Sequence, residues 1–194
     1  VYKMAKVIEA IRTLEPTHHP VLGDGILELT DIKSAPYPGA SVVPEYCRAT
    51  YDRRLLVGET KESVLAPIQE LLDKLMAEDP QLKAKVSYAV GKEQCYTGNE
   101  ITGERFFPGW LYDEKDEFVQ DVKKELEGMG YTPEITQYNF CTNGSHYAGE
   151  AGIKTFGLGP SKENLAHTVN EYIEIDQLTK VTDCYYGVMK ALLK

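Results

Sequence analysis

The sequence predicts an α/β fold in two parts, and three observations carry that prediction. The first half reads helix–strand–strand–helix–strand by hydrophobic period. The second half alternates helix and strand, the order that α/β proteins show. Between them, residues 98–113 keep no period and are rich in Gly and aromatic residues, with Pro108 among them, as a linker is. The boundaries that follow are 1–97, 98–113 and 114–194.

Val1, Met4, Val7, Ile8, Ile11 and Leu14 recur at helical spacing, and Pro16 stops that helix. His18-His19-Pro20 then falls in a polar loop. Adjacent side chains on a loop diverge, so the two imidazoles read as solvated rather than as a metal pair. Gly23-Asp24-Gly25 signals a turn. Ile26, Leu27, Leu29 and Ile32 suggest a strand of imperfect alternation, broken by Ala35-Pro36-Tyr37-Pro38-Gly39. A second strand is expected from Val42 to Leu56. Thr60 is placed to cap the next helix, which uses Val64, Leu65, Ile68, Leu71, Leu72, Leu75 and Met76. Pro67 either kinks that helix or marks its start, and Asp79-Pro80 ends it. Val86, Tyr88 and Val90 alternate as a strand.

In the linker, Phe106-Phe107-Pro108-Gly109-Trp110 reads either as a ligand wall or as packing at a domain junction. Phe118, Val119, Val122, Leu126 and Met129 then mark a helix ended by Gly130. Ile135 to Phe140 is an expected strand, Ser145 to Gly149 an expected short helix, and Ile153 to Leu158 a further strand. Asp176 is expected to cap a last helix built on Leu178, Val181, Cys184, Tyr185, Val188 and Leu192.

The length suits one large domain or two small ones. A net charge of −9 argues against nucleic acid and against an anionic membrane surface as partner. No apolar run approaches the ~20 residues of a membrane span, and no secretory leader is visible. Cys47, Cys95, Cys141 and Cys184 are scattered, with no Cys-x-x-Cys pair, as reduced thiols of a cytoplasmic protein are. The first residue already lies inside a helical pattern, so the chain is expected to be a fragment.

The stretch that organises the rest runs from the strand ending at Leu158, through Gly159-Pro160, to His167. A side chain on a loop after the carboxyl end of a strand lies where α/β sheets place their chemistry. By spacing alone His167 is a solvated or capping residue, because no second His stands within ligand spacing and zinc needs three or four donors. However, Gly157-Leu158-Gly159-Pro160 followed by Ala166-His167-Thr168-Val169-Asn170-Glu171-Tyr172-Ile173-Glu174-Ile175-Asp176 resembles the last metal-ligand motif of a known family. That family is the acetylornithine deacetylase / succinyl-diaminopimelate desuccinylase family of di-zinc peptidases and amidohydrolases. The resemblance implies that His167 binds one of two zinc ions, with cobalt or manganese as possible substitutes. It implies that Glu171 orients His167 or is simply exposed, since the family's base and bridging carboxylate lie elsewhere.

The resemblance covers nearly the whole chain and is strongest over 41–60 and 140–176. It implies that 1–97 is the family's lid, of split βαβ type, without its first strand, and that this lid pairs two chains. It implies that 114–194 is the carboxyl-terminal part of the α/β catalytic domain. Two further motifs carry it. Ser41-Val42-Val43-Pro44 and Tyr51-Asp52-Arg53-Arg54 match the family's Asn-x-Ile-Pro and Asp-x-Arg. Arg54 then grips a substrate carboxylate, for which a guanidinium fork is suited, and Ser41 stands where Asn is usual. Arg53 and Arg54 also read as a solvated edge pair.

Thr142-Asn143-Gly144-Ser145-His146 matches the family's Gly-Gly-Ser/Thr-Asp turn, with His146 in place of the Asp. Asn143, Gly144 and Ser145 are the implied substrate-binding residues. Their backbone N–H groups at a helix start make an anion or oxyanion site, although a plain Asn-Gly turn explains the same letters. The Asn-Gly form is similar to a subgroup linked by name to selenium metabolism. Ser145 with His146, or Cys141 with a His, also suggests a nucleophile. Neighbours on a helix point about 100° apart, no Gly-x-Ser-x-Gly elbow is present, and nothing marks Cys141 as activated.

The family's other ligands, a His-x-Asp motif, a bridging Asp and a Glu-Glu pair, do not appear in this sequence. The expectation is therefore the carboxyl-terminal part of a metal-dependent amidohydrolase acting on a small carboxylate-bearing amide, itself inactive. The alternative is a non-catalytic dimerisation or binding module.

Overall fold

A computed structural model describes residues 1–193. The fold is mixed α and β, as the periodicity predicts, and the chain divides into two compact units, Val1–Gly109 and a second that begins at Trp110.

In the first unit, helix α1 (Tyr2–Ile11) is followed by a small hairpin of β1 (His18–His19) and β2 (Gly23–Asp24). The two His therefore lie on a paired strand, not in an open loop. Strand β3 (Ile26–Ala35) pairs antiparallel with β4 (Tyr46–Arg54). The imperfect alternation of β3 has a cause: the register shifts between Leu29 and Asp31. Such a bulge breaks the two-residue period. Leu27 and Leu29 are half-buried before it, whereas Ile32 beyond it is 52 % exposed. The second strand begins at Tyr46, not Val42, because Val42 and Val43 lie in the exposed connection and bond no partner strand.

Helix α2 (Lys61–Glu78) opens on a full capping box, in which Thr60 and Ser63 each bond the other's backbone N–H at 3.2 and 2.9 Å. Pro67 sits inside the helix rather than at its start. The helix tolerates it because Val64, Ile68 and Leu72 stay buried on one face. Val7 and Ile11 of α1 pack on Ile68 and Leu72, with Leu27 and Tyr51 of the hairpin beside them. Burying each such side chain is worth about 1.5–3 kcal/mol. Lys3 ties the two helix ends by an ion pair to Asp79 at 2.6 Å.

The expected strand at 86–90 is displaced. Leu82, Ala84, Val86 and Tyr88 do alternate inward, but the hydrogen-bonded ladder starts at Val90. There β5 (Val90–Gln94) pairs with β6 (Glu100–Glu104), inside the segment expected to be linker. Both strands are exposed and polar, so no apolar alternation announces them.

In the second unit, α3 (Glu117–Gly128) packs along α4 (Ile175–Leu192) through Val122, Leu126, Cys184 and Ala191. Gly187 lets the helices close, since a Cβ there would stand 2.6 Å from Met129 Sδ and 3.1 Å from Leu126 Cδ2. The cap of α4 is Glu174, not Asp176, which lies one step inside the first turn and pairs with Lys180 at 2.8 Å. The strands expected at 135–140 and 153–158 do not form. Among the described residues, every ladder belongs to the first unit. Apolar spacing reports which side of a segment is buried, whereas a ladder needs a neighbouring backbone. No helix among the described residues is long and apolar enough to cross a membrane.

Candidate functional site

The loop that carries His167 is built between Leu158 and α4. Ser161, His167 and Asn170 all take left-handed backbone angles, with φ of 78°, 60° and 61°. Non-glycine residues pay of order 1 kcal/mol or more each for that conformation, and such strain concentrates at functional loops. Local bonds offset it. The Ser161 N–H donates to Gln177 Oε1 of α4 at 2.5 Å, and its hydroxyl donates to the Tyr172 carbonyl at 3.3 Å. The Thr168 hydroxyl donates to the Leu165 carbonyl at 2.7 Å. Glu171 accepts from the His167 backbone N–H at 3.0 Å, so it holds the loop's backbone and not the ring. The His167 side chain is exposed, and its imidazole has no hydrogen-bond partner among the described residues.

Beneath the approach to this loop, Tyr138 stacks on Phe140 at 5.1 Å and covers Gly157, where no Cβ would fit. Burial pushes the Tyr138 hydroxyl up from its ordinary value, with Tyr185 and Glu163 adding to the shift, so it stays neutral.

The Thr142–His146 turn is the second component. Gly144 and Ser145 are buried, Ser145 to 4 % exposure, and a short π-helix, Ser145–Glu150, begins there as the expected short helix. The Gly144 N–H donates to Thr142 Oγ1 at 3.1 Å, and the Ser145 N–H donates to the Thr142 carbonyl at 3.1 Å. These two donors are therefore spent inside the turn. Asn143 differs: it is exposed, and neither its backbone N–H nor its side chain is bonded among the described residues. His146 turns to Glu150 at 2.7 Å, one helical turn on, whereas Ser145 Oγ meets Cys141 Sγ at 3.5 Å.

The two arginines of the first unit separate into different environments. Arg53 points inward to Glu59 at 2.5 Å, with side chains 22 % and 10 % exposed. Glu59 also accepts from the Leu56 N–H at 2.7 Å and the Thr17 hydroxyl at 3.1 Å. Arg54 ends β4, is 42 % exposed, and pairs with Asp52 at 3.1 Å. Ser41 lies in the connection at the other end of the hairpin, since Tyr46 opposes Ala35 and Arg54 opposes Ile26. The length of β4 puts roughly 25 Å or more between those ends.

Among the described residues, no three His, Cys, Asp or Glu side chains converge as a metal site. His18 Nδ1 bonds Asp24 at 2.6 Å, and His19 Nδ1 accepts from the Val21 and Leu22 N–H groups, so each ring is held within the β1–β2 hairpin. His167 is thus one available donor and not a complete site. All four cysteines are free, and burial raises the Cys184 thiol above its ordinary value, which keeps it protonated and unreactive.

His167 and the turn at 142–146 stand out in the sequence, but the backbone around them does not. No Gly or Asn-Gly pair signals the left-handed backbone at Ser161 or His167, and adjacent letters do not show that Arg53 and Arg54 differ in burial.

Comparison with known proteins bears on this arrangement. Residues 13–191 match peptidase family M20/M25/M40. The chain is 31% identical over 174 residues to the uncharacterized protein YgeY of Escherichia coli, covering 88% of this chain and 42% of that protein. It is 28% identical to an N-formyl-4-amino-5-aminomethyl-2-methylpyrimidine deformylase of Halalkalibacterium halodurans, over 94% of this chain and 43% of the deformylase. It is 25% identical to a succinyl-diaminopimelate desuccinylase of Hydrogenovibrio crunogenus, over 79% of this chain and 35% of that enzyme. The chain therefore spans less than half the length of these relatives. Because the matched residues include both units and nearly all of the sequence, the protein belongs to peptidase family M20/M25/M40.

Proposed function

We propose that the polypeptide carrying this chain is a metal-dependent amidohydrolase that removes an acyl group from a small, carboxylate-bearing amide. The observation that carries the reading is the pairing of the family match with an exposed, unbonded imidazole on a strained loop at His167. In this reading His167 gives one ligand to a two-zinc centre whose other ligands lie outside this sequence. Zinc so bound lowers the pKa of water and polarises a carbonyl. Glu171 fixes the loop backbone so that the ring stays presented. Arg54 binds the substrate carboxylate through two parallel N–H bonds, releasing Asp52. Asn143 offers its free amide and N–H to the scissile group. Gly144 and Ser145 shape the turn, since their own N–H groups are engaged. Ser41, in the connection between β3 and β4, is a further substrate contact in this reading, standing where the family has Asn.

The lid reading of the first unit, with its boundaries near 1–97 and 98–113, belongs to this proposal, as does pairing of two chains through it. It is supported by β4, which has one ladder partner among the described residues, and an open strand edge is a template for a second chain. A cytoplasmic location fits the four free thiols.

The test is hydrolysis of N-formyl, N-acetyl and N-succinyl amines and amino acids by the full natural polypeptide, together with its metal content. We expect a chelator to abolish hydrolysis and zinc to restore it, and His167→Ala to lower both bound metal and rate. Hydrolysis that survives chelation, or a His167→Ala variant with full metal and rate, overturns the reading. A polypeptide that dimerises without metal and hydrolyses none of the panel favours a binding module instead.

A further inference from the structure

We infer that Trp110 is the positioning residue for the Asn143-Gly144-Ser145 turn, and through it for Asn143; this rests on the proposed role of that turn in binding substrate. Gly144 has ordinary helical angles, φ −55° and ψ −28°, so its backbone does not call for glycine. The reason for glycine is contact. A Cβ at Gly144 would stand 2.6 Å from Trp110 Cζ2 and 2.8 Å from both Cε2 and Nε1. No side chain fits between the indole and the turn.

The indole is itself held from behind. Trp110 meets Tyr112 edge-on at 6.0 Å, and Tyr112 meets Phe118 edge-on at 4.9 Å. Phe118 is buried at the start of α3. The Tyr112 hydroxyl donates to the Ile153 carbonyl at 2.9 Å, anchoring the same ring to the segment that leads to the His167 loop. An aromatic relay thus runs from the helical core to the turn. The turn's own hydrogen bonds fix its shape, and the indole lies where it sets the turn's position against that core. Asn143, exposed next to Gly144, takes its position from this contact. The aromatic segment at 106–110 thus divides: Phe106 packs on Tyr88 in the first unit, and Trp110 supports the turn in the second.

Hydrogen–deuterium exchange and steady-state kinetics on the full natural polypeptide test this together. Trp110→Ala should speed exchange of the Gly144–Tyr147 amides by about tenfold or more while those of α3 stay protected, because the turn alone opens. With whichever N-formyl, N-acetyl or N-succinyl compound the wild type hydrolyses, KM should rise about tenfold or more with Trp110→Ala, and Trp110→Phe should restore most of it. Should Trp110→Ala fold poorly, Gly144→Ala serves. It should speed exchange of the same Gly144–Tyr147 amides and raise KM, with the amides of α3 still protected. Its cost should shrink in the Trp110→Phe background, since the smaller ring relieves the clash with the indole.

Unchanged exchange at 144–147 overturns the inference whatever the substrate. Loosened amides with an unchanged KM also overturn it, because the turn would then not serve binding. If the wild type hydrolyses nothing on the panel, the hydrolase reading fails by itself, and the exchange result still decides whether Trp110 holds the turn.

Discussion

Removing the Glu59 carboxylate should unfold the first unit far more readily than removing the Arg54 guanidinium. Glu59 accepts three hydrogen bonds, from Arg53 Nη2 at 2.5 Å, the Leu56 N–H at 2.7 Å and the Thr17 hydroxyl at 3.1 Å. Its side chain is 10 % exposed and that of Arg53 is 22 % exposed. Deleting one partner of a buried pair leaves the other charge and two further donors without compensation, which costs about 3–5 kcal/mol in full burial. Arg53 retains some solvent access, so the lower end, about 3 kcal/mol, is the expected loss for Glu59→Ala. For a unit of this size that is a fall in Tm on the order of 12 °C. Glu59→Gln keeps an acceptor for Leu56 and should lose about half as much. Arg54→Ala breaks only an exposed pair with Asp52, worth about 0–1 kcal/mol. Urea denaturation followed by circular dichroism, with unchanged slope, measures all three. A Glu59→Ala loss below about 1 kcal/mol, or an Arg54→Ala loss equal to it, refutes the division of the two arginines into a structural and an available one.

Three other outcomes are expected. Leu126→Ala, in the α3–α4 core at 4 % exposure, should cost about 2–5 kcal/mol by denaturant titration, as buried Leu truncations do. Thr60→Ala removes one arm of the capping box of α2 and should cost about 1 kcal/mol in the same assay, with Ser63→Ala no more additive than a shared box allows. Lys3, by its hydrogen bond, holds the Asp79 carboxyl below the usual aspartate value. Its contribution is therefore complete above that ordinary value and is lost as pH falls through the lowered one. The acid limb of a stability–pH curve should be shallower for Lys3→Met than for the wild type, and an identical limb would refute that assignment.

The local order of the chain was legible because periodicity and capping are near-neighbour effects. The stripe of Val7, Ile11, Val64, Ile68 and Leu72, the Thr60 cap, the stop at Asp79 and the α3–α4 faces follow from spacing alone. So did the family, since its signature lies in contiguous letters around Asn143 and His167. Strands fared worse where pairing mattered. Residues 82–88 alternate without a ladder, whereas the polar stretch 100–104 has a ladder without alternation. Pairing depends on which backbone lies alongside, and side-chain pattern does not encode that.

The site shows the same division. Sequence alone determined that His167 follows a strand-like apolar segment and a Gly-Pro loop, and that Arg53 and Arg54 are adjacent cations. Tertiary structure decided that Glu171 bonds the backbone of His167 and not its ring, that Arg53 is consumed by Glu59 while Arg54 is not, and that the indole of Trp110 lies on Gly144. Each of these turns on which of several chemically able groups is closest in space. Residues 34 apart in the chain, or side by side on opposite faces of one strand, acquire that proximity only when the chain has folded.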